Sequence, residues 1–197
     1  MQQKGKFLLF TMDELDEWLK RNNVKRVITL IQNHHTYIPS YSDFNGSNHF
    51  RLIEIMEKSH LRRRFDEIAQ NFTTFPDGAI AVCRSLEKDP AGIRGANHGG
   101  VCIENLGDFD TGRDSMSNEQ KDAIVQLNAC LCHKFNLTPD TDSIVYHHWY
   151  DRRTGIRTGG SGYTKTCPGT AFFGGNTVEA AKANFIPLIV QALCAFS

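Results

Sequence analysis

The sequence predicts an α/β protein in which a mixed central β-sheet is flanked by helices. Three observations lead there. Short runs rich in Val, Ile and Thr alternate with stretches whose apolar residues recur at helical spacing. A Pro-Asp-Gly turn between two alternating runs marks a hairpin. No internal repeat, low-complexity tract or linker interrupts the 197 residues, a length at which one domain buries a substantial core without disulfides. All of 1–197 is therefore expected to form one domain, with a first helix over about residues 12–22 and a core over about residues 24–197.

Thr11, followed three residues later by Glu14, forms a capping-box pattern in which each side chain satisfies an orphan backbone N–H of a new helix. Leu15, Trp18 and Leu19 then repeat at helical spacing, which predicts a helix from about Met12 to Asn22. Val24 to Gln32 is dense in Val, Ile, Leu and Thr and reads as a buried strand ending at Asn33, His34 and His35. A polar, aromatic loop from Thr36 to Asn48 leads to a helix near His49 to Arg64. In that helix Phe50, Ile53 and Leu61 are expected towards the core, and the Arg62, Arg63, Arg64 run as a solvated end.

The stretch NFTTFPDGAIAVCR holds the hairpin, since Pro76 presets one turn dihedral and Gly78 accepts a positive φ. A Gly-rich loop from Asp89 to Gly100 precedes a strand at Val101 to Leu106. Ser117 with Gln120 caps a long helix carrying an apolar stripe of Ile124, Leu127 and Leu131. Ser143 to Tyr146 is a strand that delivers His147 and His148 to its end. A glycine-containing loop then runs through Cys167 and Pro168 to Gly175, and a last helix is expected from about Thr177 to Ala195.

Composition narrows the function classes. Lys plus Arg equals Asp plus Glu at 22 each, so no overall field favours nucleic acid or an acidic membrane surface, and a partner must be recognised locally. The six cysteines are spread through segments that read as core, so four or five are expected as buried thiols, a pattern that suits a reducing compartment. The apolar run Phe7 to Phe10 is shorter than a secretory h-region and passes straight into an acidic segment, so no signal peptide is expected. No apolar run is long enough to span a bilayer, and the chain reads as soluble and cytoplasmic as synthesised.

Two His pairs, His34-His35 and His147-His148, each follow a predicted strand, where a rigid scaffold holds reactive groups at fixed separations. Successive strand residues face opposite ways, so only one member of each pair can face a common point. Lys165-Thr166-Cys167-Pro168-Gly169 adds a thiol, and a thiolate with two neutral imidazoles is the three-ligand set that a catalytic zinc uses with its fourth position open. Glu104 lies in a strand among apolar residues, an expensive place for a carboxylate unless it is paired or functional.

Taken in order, His34-His35-Thr36 after the first strand, FTTFPDG, Cys102-Ile103-Glu104, His147 and Lys165-Thr166-Cys167-Pro168-Gly169 resemble the type-2 N-acetylmuramoyl-L-alanine amidases. That superfamily also contains the phage lysozyme-type amidases and the peptidoglycan recognition proteins. The resemblance covers about His34 to Gly169 and implies a zinc ion held by His34, His147 and Cys167, with His35 and His148 beside the metal. It implies Lys165 as the cation that meets the carbonyl oxygen during attack and Glu104 as the group that deprotonates water. Other branches use a tyrosine before the FTTF-like strand; here that place falls on Gln70, which is neither acid nor base.

The implied activity is zinc-dependent hydrolysis of the amide between the lactyl group of N-acetylmuramic acid and L-alanine, on peptidoglycan or a released muropeptide. Phage lysis or another export route would bring such an enzyme to the wall. Arg94, Asn97, His98 and Trp149 are candidate walls of a groove for glycan and stem peptide. The main rival is a non-catalytic peptidoglycan-binding recognition module of the same fold. A different zinc hydrolase would normally supply His and carboxylate ligands without a Cys-Pro-Gly ending, and a metal-free interaction domain is separated by metal analysis.

Overall fold

The computed structural model describes residues 1–194, so Ala195, the expected last residue of the final helix, lies outside the described residues. Its strands are β1 (Gln2–Lys4), β2 (Phe7–Phe10), β3 (Leu30–His35), β4 (Phe72–Thr74), β5 (Ile80–Val82), β6 (Gly100–Asn105) and β7 (Ile144–Tyr146). Its helices are α1 (Met12–Arg21), α2 (His49–Arg62), α3 (Asn118–Phe135), α4 (Val178–Ala180) and α5 (Ile186–Leu193), with a π-turn over Ala181–Phe185 joining the last two. The strands make one mixed sheet in the order β1-β2-β5-β4-β6-β3-β7. The β1, β2, β5 and β4 neighbours are antiparallel, whereas β4, β6, β3 and β7 pair in parallel.

Period-two alternation divides the core between the two faces of this sheet. Phe7 and Leu9 of β2 join Leu52, Ile53 and Met56 of α2 in one apolar cluster, while Phe10 joins the cluster that holds Leu15 and Leu19 of α1, Ile124 and Leu127 of α3, and Ile189 of α5. The sequence does not announce the hairpin β1-β2: FLLF is too short to signal more than an apolar run, and pairing with β5 is what makes it a strand. β3 runs from Leu30 to His35, starting later than the expected Val24 and ending at the histidines as expected. Both histidines therefore sit within the strand, and their side chains diverge to opposite faces.

The caps follow the sequence signals with one exception. Thr11 and Glu14 form the full reciprocal capping box. Ser117 accepts from the Gln120 N–H, but the Gln120 amide turns away and donates to Thr74 O, Thr74 Oγ1 and Leu106 O, tying α3 to the sheet. The Pro76-Asp77-Gly78 turn joins β4 to β5, with Gly78 at φ 81°. On α2, Ile53 is buried and Phe50 half-buried, but Leu61 is exposed, a correction to the expected core face. All six cysteines are free thiols, five of them buried, with Cys194 exposed. Among the described residues no helix is long and apolar enough to cross a membrane.

Candidate metal and active site

Strand register gathers the site. In parallel pairing, Cα partners point to the same face, and β3 and β6 pair Gln32 with Cys102 and His34 with Glu104. β7 lies on the other side of β3 and hands His147 to the same end of the sheet. The carboxyl ends of three parallel strands thus converge, the position where open parallel sheets commonly carry ligands. Cys167 arrives from the long loop after β7. Its turn is closed by Gly169, whose N–H donates to Thr166 O at 2.9 Å.

His34 Nδ1 stands 3.2 Å from His147 Nδ1 and 3.5 Å from Cys167 Sγ. Tetrahedral zinc ligands at their usual bond lengths stand about 3.3–3.6 Å apart, so this donor set fits zinc in kind and in spacing. Burial, with the His147 and Lys165 charges adding, pushes the His34 imidazole well below its usual range. Burial likewise lowers His147 to about 3. Both rings are thus held neutral, the form that donates a lone pair to a metal. Burial raises the Cys167 thiol, with Glu104 next, so a bound cation would have to displace its proton.

Each neighbouring histidine is occupied elsewhere. His35 Nδ1 accepts from the Phe109 N–H at 3.1 Å, and His148 Nδ1–H donates to Lys165 O at 2.6 Å. A second group, His34 with Cys102 and Glu104, is also close enough to hold a cation. Cys102 is fully buried and does not line the cleft of about 710 Å³ into which His34, His147 and Cys167 all open.

Glu104 lies at the floor of that cleft, with Oε1 4.0 Å from His34 Nδ1 and its side chain 17% exposed. Burial raises its carboxyl to about 8, against the pull of Lys165 and Arg63. Lys165 is an exposed cleft residue whose ammonium makes no hydrogen bond or ion pair among the described residues. Gln70 is buried; its amide nitrogen donates to Thr73 Oγ1 at 3.0 Å, and its Oε1 has no hydrogen-bond partner among the described residues.

Arg94, Asn97, His98 and Trp149 do not line this cleft, although Ala91 and Gly92 of the Gly-rich loop do. Trp149 is fully buried and donates through Nε1 to Asn176 O at 2.7 Å. Asn97 Oδ1 accepts the N–H groups of Gly92 and Ile93, closing a loop, and His98 pairs with Asp89 at 3.2 Å on the surface. Arg94 is exposed beside Gly155. One cleft wall is instead the helix α2 with its end: Leu52, Ile55, Met56, His60, Arg62 and Arg63. The arginine run is exposed, as expected for a solvated helix end, and its Arg62 and Arg63 line the cleft as well. A larger cavity of about 1050 Å³ lies among Phe109, Val125, Phe173 and Leu188, away from the His-Cys cluster.

The N-acetylmuramoyl-L-alanine amidase family profile matches residues 24–170. No curated protein sequence matches the chain. Among solved structures, Drosophila PGRP-LB is similar over 81% of this chain and 83% of its own, at 21% identity and a TM-score of 0.61. The endolysin amidase LysCS of Clostridium intestinale is similar over 73% and 76%, at 18% identity and 0.52. Peptidoglycan recognition protein-LE, solved in complex with tracheal cytotoxin, a monomeric diaminopimelic acid-type peptidoglycan, is similar over 64% and 72%, at 22% identity and 0.55. At such identities these likenesses establish a shared fold.

Proposed function

The chain belongs to the N-acetylmuramoyl-L-alanine amidase family, and from that premise we propose that it is a zinc-dependent amidase that cleaves the bond between the lactyl group of N-acetylmuramic acid and L-alanine. The observation that carries this reading is the meeting of His34 Nδ1, His147 Nδ1 and Cys167 Sγ within 4.8 Å at the floor of an open cleft. These three residues would hold the zinc. When bound, zinc supplies a Lewis acid that makes water nucleophilic near neutral pH.

The remaining chemistry falls to the chain's own residues. Glu104, at about 8 in the metal-free site, is pulled down by any nearby cation and so is poised to accept a proton from water near neutrality. The same carboxyl then returns that proton to the alanine nitrogen as the amide breaks. Lys165 faces the carbonyl oxygen as it becomes negative, an interaction that strengthens only on the way to the transition state. Arg62 and Arg63 supply cations for carboxylates of the stem peptide, and a muropeptide of the class seen with peptidoglycan recognition protein-LE is the proposed ligand.

Digestion of purified peptidoglycan followed by mass spectrometry tests the reading. New free L-alanine amino termini are expected. Released reducing sugars or acetate would overturn it, and binding without cleavage would mark a recognition module.

A further inference from the structure

One side chain beside the histidines has no part in the mechanism above and yet is placed to govern it. Gln32 precedes His34 by two residues on β3, shares its face, and is fully buried. Both ends of its amide are committed. Nε2 donates to Ala96 O at 2.8 Å, and Oε1 lies 3.2 Å from His34 Nε2.

The orientation of that amide has a chemical consequence. Because Ala96 O can only accept, the amide nitrogen must face it, which leaves the amide oxygen facing the imidazole. His34 Nε2 must then carry the ring hydrogen, and Nδ1 keeps its lone pair, aimed at His147 Nδ1 and Cys167 Sγ. A flipped amide would set two oxygens against each other at Ala96 and would demand a hydrogen on Nδ1, the form that cannot bind a metal.

The space for this arrangement is made by two glycines. A Cβ at Gly92 would lie 2.3 Å from Gln32 Oε1 and 3.0 Å from His34 Nε2; one at Gly100 would lie 2.7 Å from Ala96 O and 2.9 Å from Gln32 Nε2. Neither glycine has a positive φ, so room, not backbone conformation, is what they provide. The loop between them is held by Asn97, which accepts from Gly92 and Ile93 through Oδ1 and from the Gly100 N–H through its carbonyl.

We propose that Gln32 is a positioning residue of the metal centre, which locks His34 in the Nε2–H tautomer, and that the loop from Gly92 to Gly100 serves to hold Gln32 in that orientation. The inference rests on the zinc reading above. Outer-shell partners of ligating histidines commonly change metal affinity by about 10–100-fold.

Zinc affinity of the full chain, measured by competition with a chromophoric chelator, tests it. Gln32→Met keeps the volume and loses the acceptor, and its affinity is expected to fall by about 10–100-fold. Gly92→Ala, which pushes on Oε1, is expected to fall as well. Gln32→Glu, whose carboxyl keeps an oxygen acceptor for the His34 Nε2–H, is expected to stay within several-fold of the parent, a rescue that keeps the test decisive if Gln32→Met does not fold. Ring-nitrogen NMR of the metal-free parent should show His34 protonated at Nε2. A parent that binds zinc while Gln32→Met or Gly92→Ala binds equally well overturns the positioning role alone. An Nδ1–H signal for His34, or loss of affinity in Gln32→Glu equal to that in Gln32→Met, also overturns it. A parent that binds no zinc overturns the metal reading, and this inference with it.

Discussion

At residue scale the site depends on keeping two imidazoles uncharged and one carboxyl poised. His34 and His147 are neutral because they are buried near a cation, and Glu104 is raised because water reaches it only through the cleft. Three substitutions separate the roles. Cys167→Ala removes the sulfur and is expected to lose zinc and activity together in metal analysis and turnover assays. Glu104→Gln should retain zinc but turn over about 10²–10⁴-fold more slowly. Lys165→Ala should lower kcat by about 10²–10³-fold with zinc retained. Full activity in Glu104→Gln would remove Glu104 from the proton path.

At element scale, much of the site could be read from the sequence because its motifs sit at strand ends, where register does the positioning. His34 and Glu104 are strand partners, a relation that hydrophobic runs locate only to within a few residues. The cleft wall was misplaced for the opposite reason. The Gly-rich loop contributes Ala91 and Gly92 to the cleft, but Asn97 is spent on closing the loop and His98 on Asp89, whereas the pattern of α2 shows only an ordinary amphipathic helix. Gln32 is legible in the sequence as the amide of β3 that shares the face of His34, two residues before it. The turn bearing Cys167 makes a prediction of its own. Gly169 has φ 118°, and a Cβ there would stand 2.4 Å from the Phe109 carbonyl group. Gly169→Ala should therefore cost at least about 1–3 kcal/mol in urea unfolding and weaken zinc retention, because the strain falls two residues from the sulfur.

At the scale of the whole molecule, stability should depend on pH and on metal. Burial and Arg63 lower His60 to about 4, and its Nδ1 accepts the Ala69 N–H. The folded state thus prefers neutral His60, a contribution fully present above the unfolded value near 6.5 and lost as pH falls towards 4. His60→Gln, which can still accept from Ala69, should flatten the acid limb of urea unfolding between those values. Glu104 acts in the reverse sense: its folded value is raised, so its share is present below 4.5 and lost as pH climbs through about 8. Zinc at about 100 times its dissociation constant adds about 2.7 kcal/mol, or roughly 5–11 °C in Tm for a domain of this size, and a chelator should reverse that rise.

That one wall of the cleft comes from α2 has a consequence for how such an enzyme can change. The proposed metal ligands ride on the sheet and the loop after β7, while Ile55, Met56, His60, Arg62 and Arg63 all belong to a single helix and its end, joined to the rest by loops at both sides. The exposed positions Ile55, Arg62 and Arg63 can therefore be retuned towards another peptide while Leu52, Ile53 and Met56 keep the helix seated in the core and the proposed centre stays as it is.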